Sequence, residues 1–230
     1  MNFENYVREL ENLRKNYNKN LLRSWSPKGE LFYKVDKSGN YKEFVGDTIV
    51  FFINKEEIKY ISDIQNHLYK QLGNMFARKL SEKYFHVTLH DLCNLNVTKT
   101  IKECIEKNEE KIREVFNKIK DFQKITLETI GLYNGGSAIG TMLKPRTKKD
   151  FIKLMNLRKV FDELIKREDF YIPHITLGYY LTKDYNYSER NEIFNFLENE
   201  KIEFLIEFTF ENLKYTLFTD MDNYIPIFPV

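Results

Sequence analysis

Apolar residues recur at two different periods along this chain of 230 residues. From residue 3 to 23, Phe3, Tyr6, Leu10, Leu13, Tyr17, Leu21 and Leu22 fall near one stripe of an amphipathic helix. Ile58, Ile61, Ile64, Leu68 and Leu72 mark a second helix over 56–72, and Ile101, Ile105, Ile112, Val115, Phe116 and Ile119 a third over 101–120. Further helices are predicted at 148–166 and 187–198. Between them lie short runs rich in β-branched and aromatic residues, which read as strands at 31–35 and 48–53. The runs "KITLETIGLY" and "SAIGTML" read as two more, joined at Gly135-Gly136. The final pair is 202–209 and 212–219, where "IEFLIEFTF" alternates apolar and polar residues.

Two further strands nearly repeat one another. Residues 85–92 read "FHVTLHDL" and residues 173–180 read "PHITLGYY". Each follows a helix of about five turns, itself preceded by strand, turn and strand, so the halves share an order of elements. That order predicts an α+β protein with two lobes, pseudo-duplicated sheets and flanking helices around one cleft. The division expected is an N-terminal extension over 1–45, helix and strand, packed on a two-lobed domain over 46–230. No stretch rich in Pro, Gly or Ser separates the lobes.

Strand geometry gives the repeat its chemistry. Alternation places His86, Thr88 and His90 on one face, and His174, Thr176 and Gly178 on the equivalent face of the second strand. Phe85, Val87 and Leu89 point the other way, as do Pro173, Ile175 and Leu177. Facing one another, the strands bring two imidazoles and two hydroxyls to a common point, which suits a phosphodiester. One neutral imidazole takes a proton from the nucleophile while the other, protonated, gives one to the leaving oxygen. The threonine hydroxyls donate to the non-bridging oxygens. No metal is needed. His86 and His90 are four residues apart, about 13 Å along a strand, too far to share an ion.

"FHVTL" and "IPHITLGY" resemble the paired His-x-Thr motifs of the two-histidine (2H) phosphoesterase superfamily, which has the LigT-like fold. The resemblance covers about residues 46 to 219, and "GDTIVFFI" before a helix resembles bacterial members with an N-terminal extension. Family members act on cyclic phosphates and 2′–5′ linked oligonucleotides, and some only bind nucleotides. The resemblance implies His86 and His174 as the acid–base pair and Thr88 and Thr176 as phosphate-binding residues. It implies a cyclic or 2′–5′ phosphodiester at a nucleotide or RNA end as substrate, with no cofactor. A non-catalytic nucleotide- or RNA-binding module, or a phage or host-defence protein acting on cyclic nucleotide signals, would carry the same pocket.

Composition narrows the class. The apolar share of 42% and few Gly and Pro mark a folded chain, and a net charge of +2 argues against a general nucleic-acid coat. Cys93 and Cys104 are too few for a disulfide scaffold or a Cys-rich zinc site, and are expected as reduced thiols. The charged N-terminus lacks the apolar region of a signal peptide, and no apolar run approaches a membrane span. A cytoplasmic monomer is expected. Beyond the paired motifs, His90, Tyr133, Tyr179 and Tyr180 are candidate substrate contacts, the tyrosines for stacking on a base. "MLKPRTKK" offers Lys144 and Arg146 to steer a phosphate.

Overall fold

A computed structural model of the chain describes residues 1–94 and 100–229. Two four-stranded antiparallel sheets carry the fold. The first has the order β2-β1-β7-β8 and the second β5-β4-β3-β6. The strands are β1 (Gly46–Phe52), β2 (His86–Asn94), β3 (Ile125–Asn134), β4 (Ala138–Pro145), β5 (His174–Tyr179), β6 (Leu205–Phe208), β7 (Leu213–Asp220) and β8 (Asn223–Phe228). The helices are α1 (Phe3–Asn20), α2 (Leu31–Lys34), α3 (Lys55–Leu72), α4 (Ile101–Asn117), α5 (Lys148–Val160) and α6 (Tyr187–Asn199). The expected two-lobed α+β arrangement is present. Its repeat unit is strand, helix, motif strand: β1-α3-β2 in one lobe and β4-α5-β5 in the other.

The strand expected at 31–35 is instead the short helix α2. Leu31 and Val35 are buried while Phe32 and Tyr33 are more than half exposed, a spacing of four that belongs to a helix. Strand alternation would have buried Tyr33. β1 pairs with β7, so the last strands of the chain complete the first lobe. β8, which sequence periodicity did not reveal, pairs with β7 at the sheet edge.

One apolar core runs through both lobes. Phe51 of β1 and Phe208 of β6 stack at 4.1 Å between ring centroids, joining the sheets, and Phe116 of α4 packs on Phe161 and Phe228. α1 lies on the second sheet, where β3 has a bulge at Ile130, and Gly131 takes φ +122°, which a side chain rarely tolerates. β6 pairs with β3 only as far as Glu128, and beyond it α1 supplies the partners. Arg14 and Asn18 both donate to the Leu132 carbonyl, and the Asn134 amide donates to Asn18 Oδ1.

Cys93 and Cys104 form a disulfide between the end of β2 and α4. This corrects the expectation of reduced thiols, since two cysteines eleven residues apart meet once α4 folds back on β2. Beside them Asp47 is buried and accepts from the Cys93 amide, Asn108 and the Tyr215 hydroxyl. Burial raises its pKa against those three donors. Among the described residues no helix is long and apolar enough to cross a membrane.

Candidate active site

β2 and β5 meet across a cleft holding a cavity of about 380 Å³, lined by His86, Thr88, His174 and Thr176. The structure therefore brings the four motif residues together. Both imidazoles are held in the same way. His86 Nδ1–H donates to the Tyr84 carbonyl at 2.7 Å, and His174 Nδ1–H donates to the Ile172 carbonyl at 2.8 Å. In each case the acceptor is two residues upstream, just before the strand begins. This arrangement fixes the tautomer and leaves Nε2 of both rings for the cavity. Tyr224 packs on His86 at 4.5 Å and Tyr133 lies edge-on to His174 at 5.6 Å.

Burial pushes the His86 pKa down to about 4, opposed by the bond to Tyr84 and reinforced by the positive charge that His174 can carry. Burial also lowers His174, again against its carbonyl bond. In the free protein both shifts favour the neutral ring.

Each motif strand bulges one residue after its threonine. Val50 pairs with Thr88 and Ile49 with His90, so Leu89 is the extra residue of β2. Gly140 pairs with Thr176 and Ile139 with Gly178, so Leu177 is the extra residue of β5. A bulge reverses which face the following residues take. The carbonyls it frees are met by side chains: the Tyr171 hydroxyl donates to Thr88 O at 2.8 Å, and Gln65 Nε2 to Leu177 O at 2.9 Å.

That reversal corrects two expectations. His90 was placed on the cleft face by simple alternation, but the bulge turns it into the core, where its Nε2–H donates to Ile165 O and its ring packs by Phe161. Asp91 takes the cavity position instead. In β5, Tyr179 lines the cavity, while Tyr180 is fully buried against Trp25 and Phe76 with its hydroxyl on Asn134. Tyr133 lines the cavity as expected. Lys144 and Arg146 do not. They lie by α1 in a separate shallow depression, where Lys144 is paired with Glu11 and Glu128.

Sequence reading missed the rest of the wall. Residues 28–44 cross the mouth of the cleft: the Lys28 amide donates to Gly136 O in the second lobe and the Phe44 amide to Thr219 O in the first. Lys28, Glu30, Lys34 and Phe44 line the cavity from this strap. Tyr224 and Phe218 come from the C-terminal hairpin. No short motif marks these residues; only the tertiary fold brings them to the cavity. Among the described residues, no group of three or more His, Cys, Asp or Glu side chains is placed to hold a metal ion.

No family model matches the chain, and no curated protein matches it. Solved structures do. A conserved protein of unknown function from Agrobacterium tumefaciens is 14% identical, with a TM-score of 0.71 over 90% of this chain and 96% of that one. The chain therefore shares its fold with that protein across nearly its whole length. E. coli LigT complexed with 3′-AMP is 14% identical, with a TM-score of 0.46 over 80% of this chain and 96% of that one. A protein described as a phosphoesterase matches at 14% identity and a TM-score of 0.46, over 81% and 96%.

Proposed function

We propose that the chain is a two-histidine phosphodiesterase that cleaves a cyclic or 2′–5′ phosphodiester of a nucleotide or RNA end without a metal ion. One observation carries this reading: His86 and His174 are held alike by Nδ1 and offer Nε2 to one cavity, beside Thr88 and Thr176. A hydrogen-bonded Nδ1 makes Nε2 the working atom of each ring. One Nε2 accepts a proton as water attacks phosphorus. The other imidazole, protonated, gives its proton to the oxygen whose bond to phosphorus breaks. The two hydroxyls donate to the non-bridging oxygens as negative charge gathers there. The bound diester anion supplies the field that protonates one ring, offsetting the lowered pKa values of the empty site.

A nucleotide- or RNA-binding module with the same pocket is the second reading. In its favour, burial favours the neutral form of both rings in the free protein, which works against a proton donor before an anion binds. Turnover separates the two. Purified protein is incubated in EDTA with nucleoside 2′,3′-cyclic monophosphates, 2′–5′ oligoadenylate and cyclic dinucleotides, with His86→Ala alongside. The phosphodiesterase reading expects product with the parent protein and about 10²–10⁴-fold less with the variant. Ligand binding without product leaves the binding module, and turnover that EDTA abolishes sinks the metal-free mechanism.

A further inference from the structure

The strap over the cleft has chemistry of its own. Lys34 places its ammonium 5.4 Å from the ring centre of Phe44 and 5.8 Å from that of Tyr179, both cavity-lining rings. Among the described residues no carboxylate lies within ion-pair distance of it. The nearby Glu30 carboxylate accepts from the Ser137 hydroxyl at 2.6 Å. Lys34 and Lys28 both favour its charged form, against the effect of burial. Of the strap residues that line the cavity, two are lysines and one is a glutamate. The Lys34 charge is near enough to the motif residues to oppose protonation of His174.

Lys28 is fixed in place as well. Gly136, at φ +92°, has no side chain, and a Cβ there would fall 2.5 Å from Lys28 Cε. The lysine stem thus occupies the space that any other residue at 136 would need. Outside the strap the cavity is lined by two aspartates, Asp91 of β2 and Asp222, of which Asp222 is already paired with Arg78 and accepts from Ser81. A ligand with two negative centres is favoured with its diester between the histidines and its second centre at the strap lysines.

Building on the phosphodiesterase reading, we propose that Lys34, with Lys28, forms a second phosphate subsite, so that the substrate is a nucleotide diester bearing a further phosphoryl group. The rings of Phe44 and Tyr179 hold the ammonium by cation–π contact while it meets that phosphate. A compact ammonium on a flexible stem is suited to a terminal phosphate as a point charge.

The test compares adenosine 2′,3′-cyclic phosphate with the same diester carrying a 5′-phosphate, and 2′–5′ diadenylate with its 5′-phosphorylated form. The parent protein is expected to favour the phosphorylated member of at least one pair by roughly 10- to 100-fold in kcat/KM, the range of one charge-assisted contact. Lys34→Met brings that ratio close to one, Lys34→Arg retains most of it, and the melting temperature shows that both variants fold. Equal use of both members by the parent overturns the subsite while leaving the phosphodiesterase reading intact. If no diester is turned over, calorimetric binding of the same pairs decides. Affinity that gains from the 5′-phosphate in the parent, but not in Lys34→Met, supports the subsite even as the catalytic reading fails. Affinity blind to the 5′-phosphate overturns it.

Discussion

After its threonine, β2 continues Leu89, His90, Asp91, and β5 continues Leu177, Gly178, Tyr179. Up to that point the strands match, with the same tethered imidazole, the same hydroxyl two residues on and the same bulge one residue later. Beyond the bulge they diverge, sending a carboxylate into the cavity from one side and a phenol from the other. In the proposed phosphodiesterase, proton transfer needs two similar groups on opposite sides, and symmetry would serve that chemistry. Recognition of one ligand orientation needs the two sides to differ, and the divergence begins where the proposed proton-transfer groups end.

The most severe way to break the symmetric half is to remove an imidazole. His86→Ala and His174→Ala are each expected to lower kcat/KM by about 10²–10⁴ with the circular dichroism spectrum retained. Near-parental turnover in either variant would end its assignment to proton transfer. Thr88→Val and Thr176→Val keep the shape and delete one donor each, with an expected loss of about 10² in kcat/KM. If only one of the two matters, the phosphate is held from one lobe, and the symmetry is geometric rather than functional.

His90 sharpens the comparison, since it shares a strand with His86 and yet lies in the core. His90→Ala empties a packed position and strands the Ile165 carbonyl, so a stability loss of about 1–3 kcal/mol is expected by urea denaturation. Turnover below the melting range should persist. A collapse of activity in a variant of unchanged stability would return His90 to the cleft.

The same residue shows what a sequence can and cannot disclose. His86, Thr88, His174 and Thr176 were legible because period-2 alternation is local, and both phrases keep it through the threonine. His90 and Tyr180 were misplaced because a bulge depends on how the partner strand pairs, which no residue of β2 or β5 announces. α3 was legible from its apolar stripe, whereas α2 was hidden in a five-residue run where both periods fit and only the exposure of Tyr33 tells them apart. Lys34, Glu30 and Tyr224 are far from both motifs in the chain. They reach the cavity because β7 and β8 complete the first sheet and the strap spans the two lobes, contacts of long sequence separation that a local pattern does not encode.

The last effect expected concerns stability against pH, and it follows from how the histidines are held. Burial gives His86 a folded pKa of about 4 and lowers that of His174, whereas an unfolded histidine titrates near 6.5. Between those values the unfolded chain binds the proton that the folded chain refuses. Stability therefore rises with pH through this window: it is fully present above about 6.5 and is lost as pH falls toward 4. Each such histidine contributes a slope of up to about 1.4 kcal/mol per pH unit. Urea unfolding at half-unit steps from pH 4.5 to 7.5 measures it, and His86→Asn, which cannot titrate, should flatten the curve while His174 keeps its share. Equal slopes in parent and variant would mean that His86 is as easily protonated in the fold as in water. It would then be charged in mildly acidic solution before any ligand arrives, and the bound diester would no longer be needed to create the proton donor.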